Sequence, residues 1–372
     1  MQPVRDTTSN LRLLSQLLLA SPLAADNAGE QGLAPRFQSD EIVSGPSLQN
    51  LRQLEALASS NHVIMRSFVP LQTILEAQGN AEGAESVANA VQREQARINH
   101  ALSFLRQICA TLEKNGCPVL VIKSLDHWPD LGSDLDLYTS ADASNVVETM
   151  SAAFQAKLAD RSWGDRLANK WNFIVPGLPE LVEIHVGRLG QTGEQTIVSQ
   201  SVTSRAREVQ VGTHLFQVPA PEDRIIISTL QRMYRHFYIR LCDVVDNARL
   251  MDAGVVDYGY LRSLGSTAGL WEGIATYMAI ISGYVEAYRG HGVPLPAFVT
   301  DAAKFGTEQV RFRRDFLRVS ILPHSVRLYA SELKNFLARG DFRNGFRLSL
   351  LPGLATAAAL EQKITGSDKG IW

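Results

Sequence analysis

Residues 119–138 read VLVIKSLDHWPDLGSDLDLY, and few folds accommodate that order. Val119, Leu120, Val121 and Ile122 form a short apolar run suited to a strand buried on both faces and ending at Lys123-Ser124. After a loop with Pro129 and Gly132, Asp134 and Asp136 alternate with Leu135 and Leu137. As a strand, this stretch turns both carboxylates to one side and both leucines into the core. Crowded like charges are unfavourable unless a cation sits between them. A hard oxygen-binding ion such as Mg²⁺, which takes one or two carboxylates plus substrate phosphates, suits the pair.

Further along, Lys170 to Val175 and Leu181 to Val186 flank Pro176-Gly177 and read as a hairpin. Alternation in its second arm puts Glu183 and His185 on one face and Val182, Ile184 and Val186 on the other. Around these strands the periodicity is helical. It predicts helices over residues 10–19, from Ser47, over 63–77 with Gly79 as the stop, over 84–115, and over 143–158. Residues 21–46 read as a loose segment. Pro221, with Glu222 and Asp223 behind it, opens a further helix at Arg224. Residues 260–339 read as helix with turns, the basic cluster Arg311, Arg313, Arg314 and Arg318 as a solvated helix face, and 366–372 as a frayed end. The expected organisation is a helical region over 1–100, a core over 101–219 and a second helical region over 220–372.

The 372 residues, 45% apolar and 20% charged, are ordinary globular material with room for two or three domains. A net charge of −2 leaves no global electrostatic footprint for nucleic acid, so none is expected as a partner. Cys109, Cys117 and Cys242 form no metal-ligand spacing and cannot all pair, which favours a reducing compartment. The run Leu17 to Ala20 has the look of a signal peptide, but Asp6, Ser15, Gln16 and the helical spacing of Leu11, Leu14 and Leu18 argue against one. No run approaches the ~18 apolar residues of a membrane span, so a cytoplasmic protein away from membranes is expected.

The buried strand, Lys123-Ser124 turn, loop and Asp134-Leu135-Asp136 strand resemble the centre of the nucleotidyltransferase fold. In particular they resemble the uncharacterised nucleotidyltransferase family of bacterial proteins, whose turn reads Lys-Gly where this chain has Lys123-Ser124. The resemblance implies an α+β fold, a small mixed β-sheet flanked by N-terminal and C-terminal helical regions. It implies catalytic, metal-binding acids at Asp134, Asp136 and Glu183, and nucleotide contacts at Lys123, Ser124 and Ser133. His185, Lys170, His236 and Asp246 are further candidates; whether His236 and Asp246 touch nucleotide or tie helices together stays open. His62 matches a family histidine expected to be structural and hydrogen-bonded. Two departures stand out: Ser124 replaces Gly, and Asp130 occupies a position that is often basic, which suggests an altered grip on phosphate.

The implied activity is transfer of an NMP group from an NTP, ATP above all, to an unidentified hydroxyl acceptor, a small metabolite or a protein, with two Mg²⁺ ions. The alternative is a catalytically inactive nucleotide-binding or scaffold module on the same fold.

Overall fold

The structure, a computed structural model, describes residues 4–20, 48–313, 315–319, 323–324 and 326–353. The segments expected to be loose (21–46) and frayed (366–372) lie outside the described residues. Leu11, Leu14 and Leu18 recur at helical spacing in α1 (Val4–Leu19), and Leu51, Leu54 and Leu57 in α2 (Leu48–Ser60); all are buried. Helix α3 (Ile64–Ala77) stops at left-handed Gly79, where the Asn80 N–H returns to the Leu75 carbonyl at 3.0 Å. The Asn80 side chain then accepts from the Gly83 N–H at 2.9 Å and starts α4 (Ala81–Lys114), whose stripe from Val87 to Leu112 is buried as its spacing predicts.

Helix α4 delivers the chain into β1 (Val119–Val121). Five elements follow: β2 (Asp134–Thr139), α5 (Ala143–Phe154), β3 (Lys157–Leu158), α6 (Trp163–Leu167) and β4 (Lys170–Ile174). With β5 (Leu181–Val186) these strands form a sheet in the order β1-β2-β5-β4-β3. β2 and β5 are parallel and the other neighbours antiparallel, so the sheet is mixed and the expected hairpin is β4–β5. The helix expected over 143–158 stops at Phe154, and Lys157-Leu158 is an edge strand instead. Leu135, Leu137, Phe173, Val182 and Ile184 pack against Ile98, Leu105 and Leu112 of α4. The opposite faces of β2, β4 and β5 carry the polar residues.

Helix α7 (Thr196–Ser204) and the hairpin β6 (Arg207–Val211) and β7 (His214–Val218) lead to α8 (Pro221–Thr229). A π-helical segment, Leu230–His236, β8 (Tyr238–Ile239), α9 (Leu241–Asp252), α10 (Tyr258–Ala268) and α11 (Trp271–Arg289) come next. The leucines of α1 and α2 close the apolar faces of these helices, so the helical regions at the two ends of the sequence share one core. Leu120, Ile122 and Tyr138 join it and seat the sheet there, while the C-terminal half of α4 packs on the sheet's other face. The fold is thus α+β, as expected, and a smaller apolar cluster around Phe336, Leu348 and Leu351 lies near the end of the described residues.

After α12 (Ala297–Thr300), the stretch expected to be a basic helix is an antiparallel pair, β9 (Val310–Arg313) and β10 (Phe316–Val319), which extends β8. Period-two alternation wins: Val310 and Phe312 pack on the core while Arg311 and Arg313 face solvent. Arg314 lies outside the described residues. Helices α13 (Val326–Ala338) and α14 (Phe342–Ser349) close the chain. Among the described residues no helix is long and apolar enough to cross a membrane.

Candidate active site

The turn after β1 is built on strain. Lys123 has φ 62° and ψ −54°, and the Ser124 N–H bonds the Ile122 carbonyl at 2.6 Å, closing a three-residue γ-turn around the lysine. For a residue with a side chain such a backbone costs roughly 1–3 kcal/mol and persists only where its surroundings hold it. Those surroundings are acidic: Lys123 Nζ contacts Asp136 Oδ1 and lies 3.5 Å from Glu183 Oε1. Ser124, which the resemblance places among the nucleotide contacts, is engaged with β2. It is buried, its Oγ donates to the Asp134 carbonyl at 3.1 Å, and it accepts from the Asp136 N–H at 2.7 Å. Its one proton clamps the turn to β2.

The register brings the acids together. Asp136 stands opposite Glu183 in the parallel pair, and on β4 Lys170 faces His185 and Asn172 faces Glu183. Glu183 accepts from Lys170 at 2.5 Å and from His185 Nε2 at 2.9 Å, and Lys170 also reaches Asp165 Oδ1 at 3.3 Å. Asp136, Glu183 and His185 offer ligand atoms within 4.8 Å of one another. Asp134 shares the face of Asp136 but stands outside that trio, accepting from exposed Ser133 Oγ at 3.3 Å. The tightest donor set therefore replaces Asp134 with His185.

Asn172 and Asp165 went unnoticed in the sequence. The alternation Lys170-Trp171-Asn172-Phe173 carries the signal for Asn172, whose Oδ1 is buried without a partner among the described residues. Asp165 was readable only as the N3 acid of the capping box with Ser162 that starts α6.

Burial pushes Asp136 up to about 7 against the pull of Lys123. Burial opposes ionisation of Glu183 too, but Lys123 and Lys170 outweigh it and hold that carboxyl well below its ordinary value. Burial brings His185 down to about 4 although Glu183 works the other way, so its imidazole is neutral near neutral pH. A carboxylate only accepts, so Nε2 carries the His185 proton and Nδ1 is left as a lone pair, buried and without a partner among the described residues. Hard carboxylate oxygens on facing strands, with an ammonium already drawn between them, fit a divalent cation.

The opposite wall is cationic. Arg235 Nη2 lies 4.0 Å from Asp165 Oδ1 in the π-helical segment, a deformation frequent at functional sites. Burial, then Arg235, Arg232, Arg240 and Lys123, hold His236 well below its ordinary value. His236 thus borders the site, whereas Asp246 ties helices together: it sits between Arg66 Nη1 and His127 Nδ1, each at 2.5 Å. Asp130 does not face phosphate. Buried, it accepts from the Met65 N–H at 2.6 Å and from Arg66 Nε at 2.8 Å, capping α3 from a distant loop. His62 is stacked on His127, and among the described residues its Nε2 is buried with no partner.

No family model matches this chain. No curated protein matches it either. Among solved structures it is similar to an antigenic nucleotidyltransferase-like protein from Paracoccidioides brasiliensis, with a TM-score of 0.33 and 12% identity over 51% of this chain and 94% of that one. A likeness at that level carries no functional argument.

Proposed function

We propose that this chain transfers a nucleotidyl group from a nucleoside triphosphate, ATP being the expected donor, to a hydroxyl acceptor with Mg²⁺. The observation that carries this reading is the in-register pairing of Asp136 with Glu183 on parallel strands, with the strained Lys123 turn delivering a cation between them. Asp136 and Glu183 would hold the ion, flanked by Asp134. Bound Mg²⁺ supplies charge neutralisation to the triphosphate and the departing pyrophosphate. Lys123, released from the acids, adds a point charge to the phosphates, and Arg235 offers a second cation from the opposite wall. Glu183 is held too strongly ionised to serve as a good base and acts as a ligand, kept in place by Lys170 and His185. In the transfer the acceptor oxygen bonds the α-phosphorus, the bond to the bridging oxygen breaks, and the acceptor proton leaves to solvent.

The competing reading, a nucleotide-binding module without transfer, draws on one observation: Lys123 and Lys170 already neutralise the acids. Incubation with each labelled NTP, Mg²⁺ and an extract of metabolites and proteins, followed by mass spectrometry, separates the two. A nucleotide-sized adduct made by wild type and absent with Asp136→Asn is the expected result. Mg²⁺-dependent nucleotide binding with no adduct from any NTP favours the module.

A further inference from the structure

The basic cluster near the C-terminal end is not used by the candidate active site. In the three-stranded sheet β8-β10-β9, Arg318 stands between Tyr238 on one neighbour and Arg311 on the other, and Phe316 stands opposite Arg313. Ile239, Phe312, Leu317 and Val319 turn inward to the helical core, so Tyr238, Phe316, Arg318, Arg311 and Arg313 share the outer face. None of these positions holds an acid. Arg311 and Arg313 are exposed, whereas Tyr238, Phe316 and Arg318 are half-buried. The whole-chain charge of −2 hides this local excess.

The outer face also carries ordered rings. Tyr238 and Phe316 stack with centroids 4.5 Å apart and planes 22° apart. The guanidinium carbons of Arg318, Arg232 and Arg240 lie 4.9, 5.4 and 5.6 Å from the centre of the Tyr238 ring. Those of Arg240 and Arg318 are each 5.7 Å from the centre of Phe316. Arg232 is paired with Asp243 at 2.7 Å, but among the described residues Arg240 pairs with no carboxylate. Arg240 Nε and Arg232 Nη1 are buried donors without a hydrogen-bond partner among the described residues. Like charges directly opposite on neighbouring strands, as Arg311 and Arg318 are, are unfavourable, and an anion relieves them.

We propose that this face binds single-stranded nucleic acid, its phosphates taken by Arg311, Arg313 and Arg240 and its bases laid against the Tyr238–Phe316 stack and the guanidinium planes beside it. Charge complementarity selects a polyanion, and the rings select one with planar bases. Guanidinium forks match phosphate oxygens, and unstacked bases lie on aromatic rings and arginine planes alike. Two strand spacings by four residues make a platform of roughly 10 by 14 Å, enough for about two or three nucleotides. A duplex fits less well, because its bases are already stacked and these short strands offer nothing that enters a groove. A membrane also fits less well: the large apolar side chains exposed among the described residues lie elsewhere, so nothing on this face would enter lipid. An acidic peptide would use the arginines and leave the rings idle. The platform borders the candidate active site through His236, whose ring centroid is 5.4 Å from that of Tyr238.

The test is fluorescence anisotropy of a labelled single-stranded RNA of about ten nucleotides, titrated with the full chain without Mg²⁺ or NTP over a range of salt concentrations. Wild type is expected to bind at low salt and to weaken as salt rises. The Arg311→Gln, Arg313→Gln double variant, whose changes are exposed and leave the core alone, is expected to bind about tenfold more weakly. Its log–log salt slope should be shallower by about 1.4, the share of two phosphate contacts on a single strand. Phe316→Leu, in folded protein, is expected to weaken RNA binding and leave binding of inorganic polyphosphate, which has charge but no bases, unchanged. Absence of binding at low salt, or a double variant with undiminished affinity and slope, overturns the proposal. Polyphosphate, phosphatidylserine vesicles or polyglutamate competing as well as unlabelled RNA overturns the assignment to nucleic acid. A folded Phe316→Leu protein with full RNA affinity overturns the role of the rings. None of these readouts involves Mg²⁺ or NTP, so the outcome is separable from that of nucleotidyl transfer.

Discussion

Asp136 on β2 and Glu183 on β5 stand directly opposite each other in a parallel strand pair, and Lys123 reaches both carboxylates. They carry unequal burdens. Glu183 accepts from Lys123, Lys170 and His185, whereas among the described residues Asp136 is paired with Lys123 alone. Glu183→Gln therefore leaves buried ammonium groups short of charge and is expected to cost about 3–5 kcal/mol. Asp136→Asn replaces a group whose charged form burial already disfavours and is expected to cost under about 1 kcal/mol. Urea unfolding of both variants near neutral pH checks the order, and a reversal would show that the acids do not share the lysines as described.

Asp130 gives a second prediction. It caps α3 and shares Arg66 with Asp246, so Asp130→Asn weakens a charge-assisted hydrogen bond but leaves Arg66 paired, and is expected to destabilise the chain by about 1–3 kcal/mol. Direct phosphate binding by this residue would instead leave stability unchanged and alter only nucleotide affinity. Unfolding curves and nucleotide titrations on the same variant tell the two apart.

Much of the site was readable before any coordinates. Alternation alone put Asp134 and Asp136 on one face of β2, and Glu183 with His185 on one face of β5. What alternation cannot reveal is which neighbour completes a group's hydrogen bonds. Ser124 turned out to clamp β2 because the γ-turn points its hydroxyl inward, and Asp130 to cap α3 because that helix offers N–H groups with no internal partner. His127 and Cys242 meet across 115 positions of sequence, so no local spacing announced them. Strands β9 and β10 are legible in the alternation of Val310 and Phe312, which prevails over the helical face that the arginines suggest.

Asp223 yields a pH prediction independent of the site. Burial pushes this carboxyl, at the start of α8, up to about 6; among the described residues its Oδ2 has no hydrogen-bond partner and meets only Arg205 Nη1, at 3.8 Å. A folded value above the unfolded one means that the native state binds the proton more tightly. The resulting stability is complete below the unfolded value, ~3.9, and is lost as pH rises through 6. Asn mimics the protonated acid and can still accept from Ser201 Oγ, the present donor at 2.6 Å. Asp223→Asn is expected to match wild type near pH ~4 and to exceed it by about 1–3 kcal/mol near pH ~7.5. Urea unfolding at the two pH values decides; equal stabilities at both would remove the argument.

The central claim, that the Asp136–Glu183 pair holds a catalytic cation for a nucleotide, is tested most directly by melting curves of wild type and Asp136→Asn with and without Mg²⁺ and each NTP. Ligand that binds only the native state raises its melting temperature by mass action, so the wild type should gain stability from NTP only when Mg²⁺ is present. Asp136→Asn should lose that gain while melting close to wild type without ligand. Equal, metal-independent shifts in both proteins would contradict the assignment and leave Asp136 as a buried partner of Lys123 with no part in nucleotide chemistry.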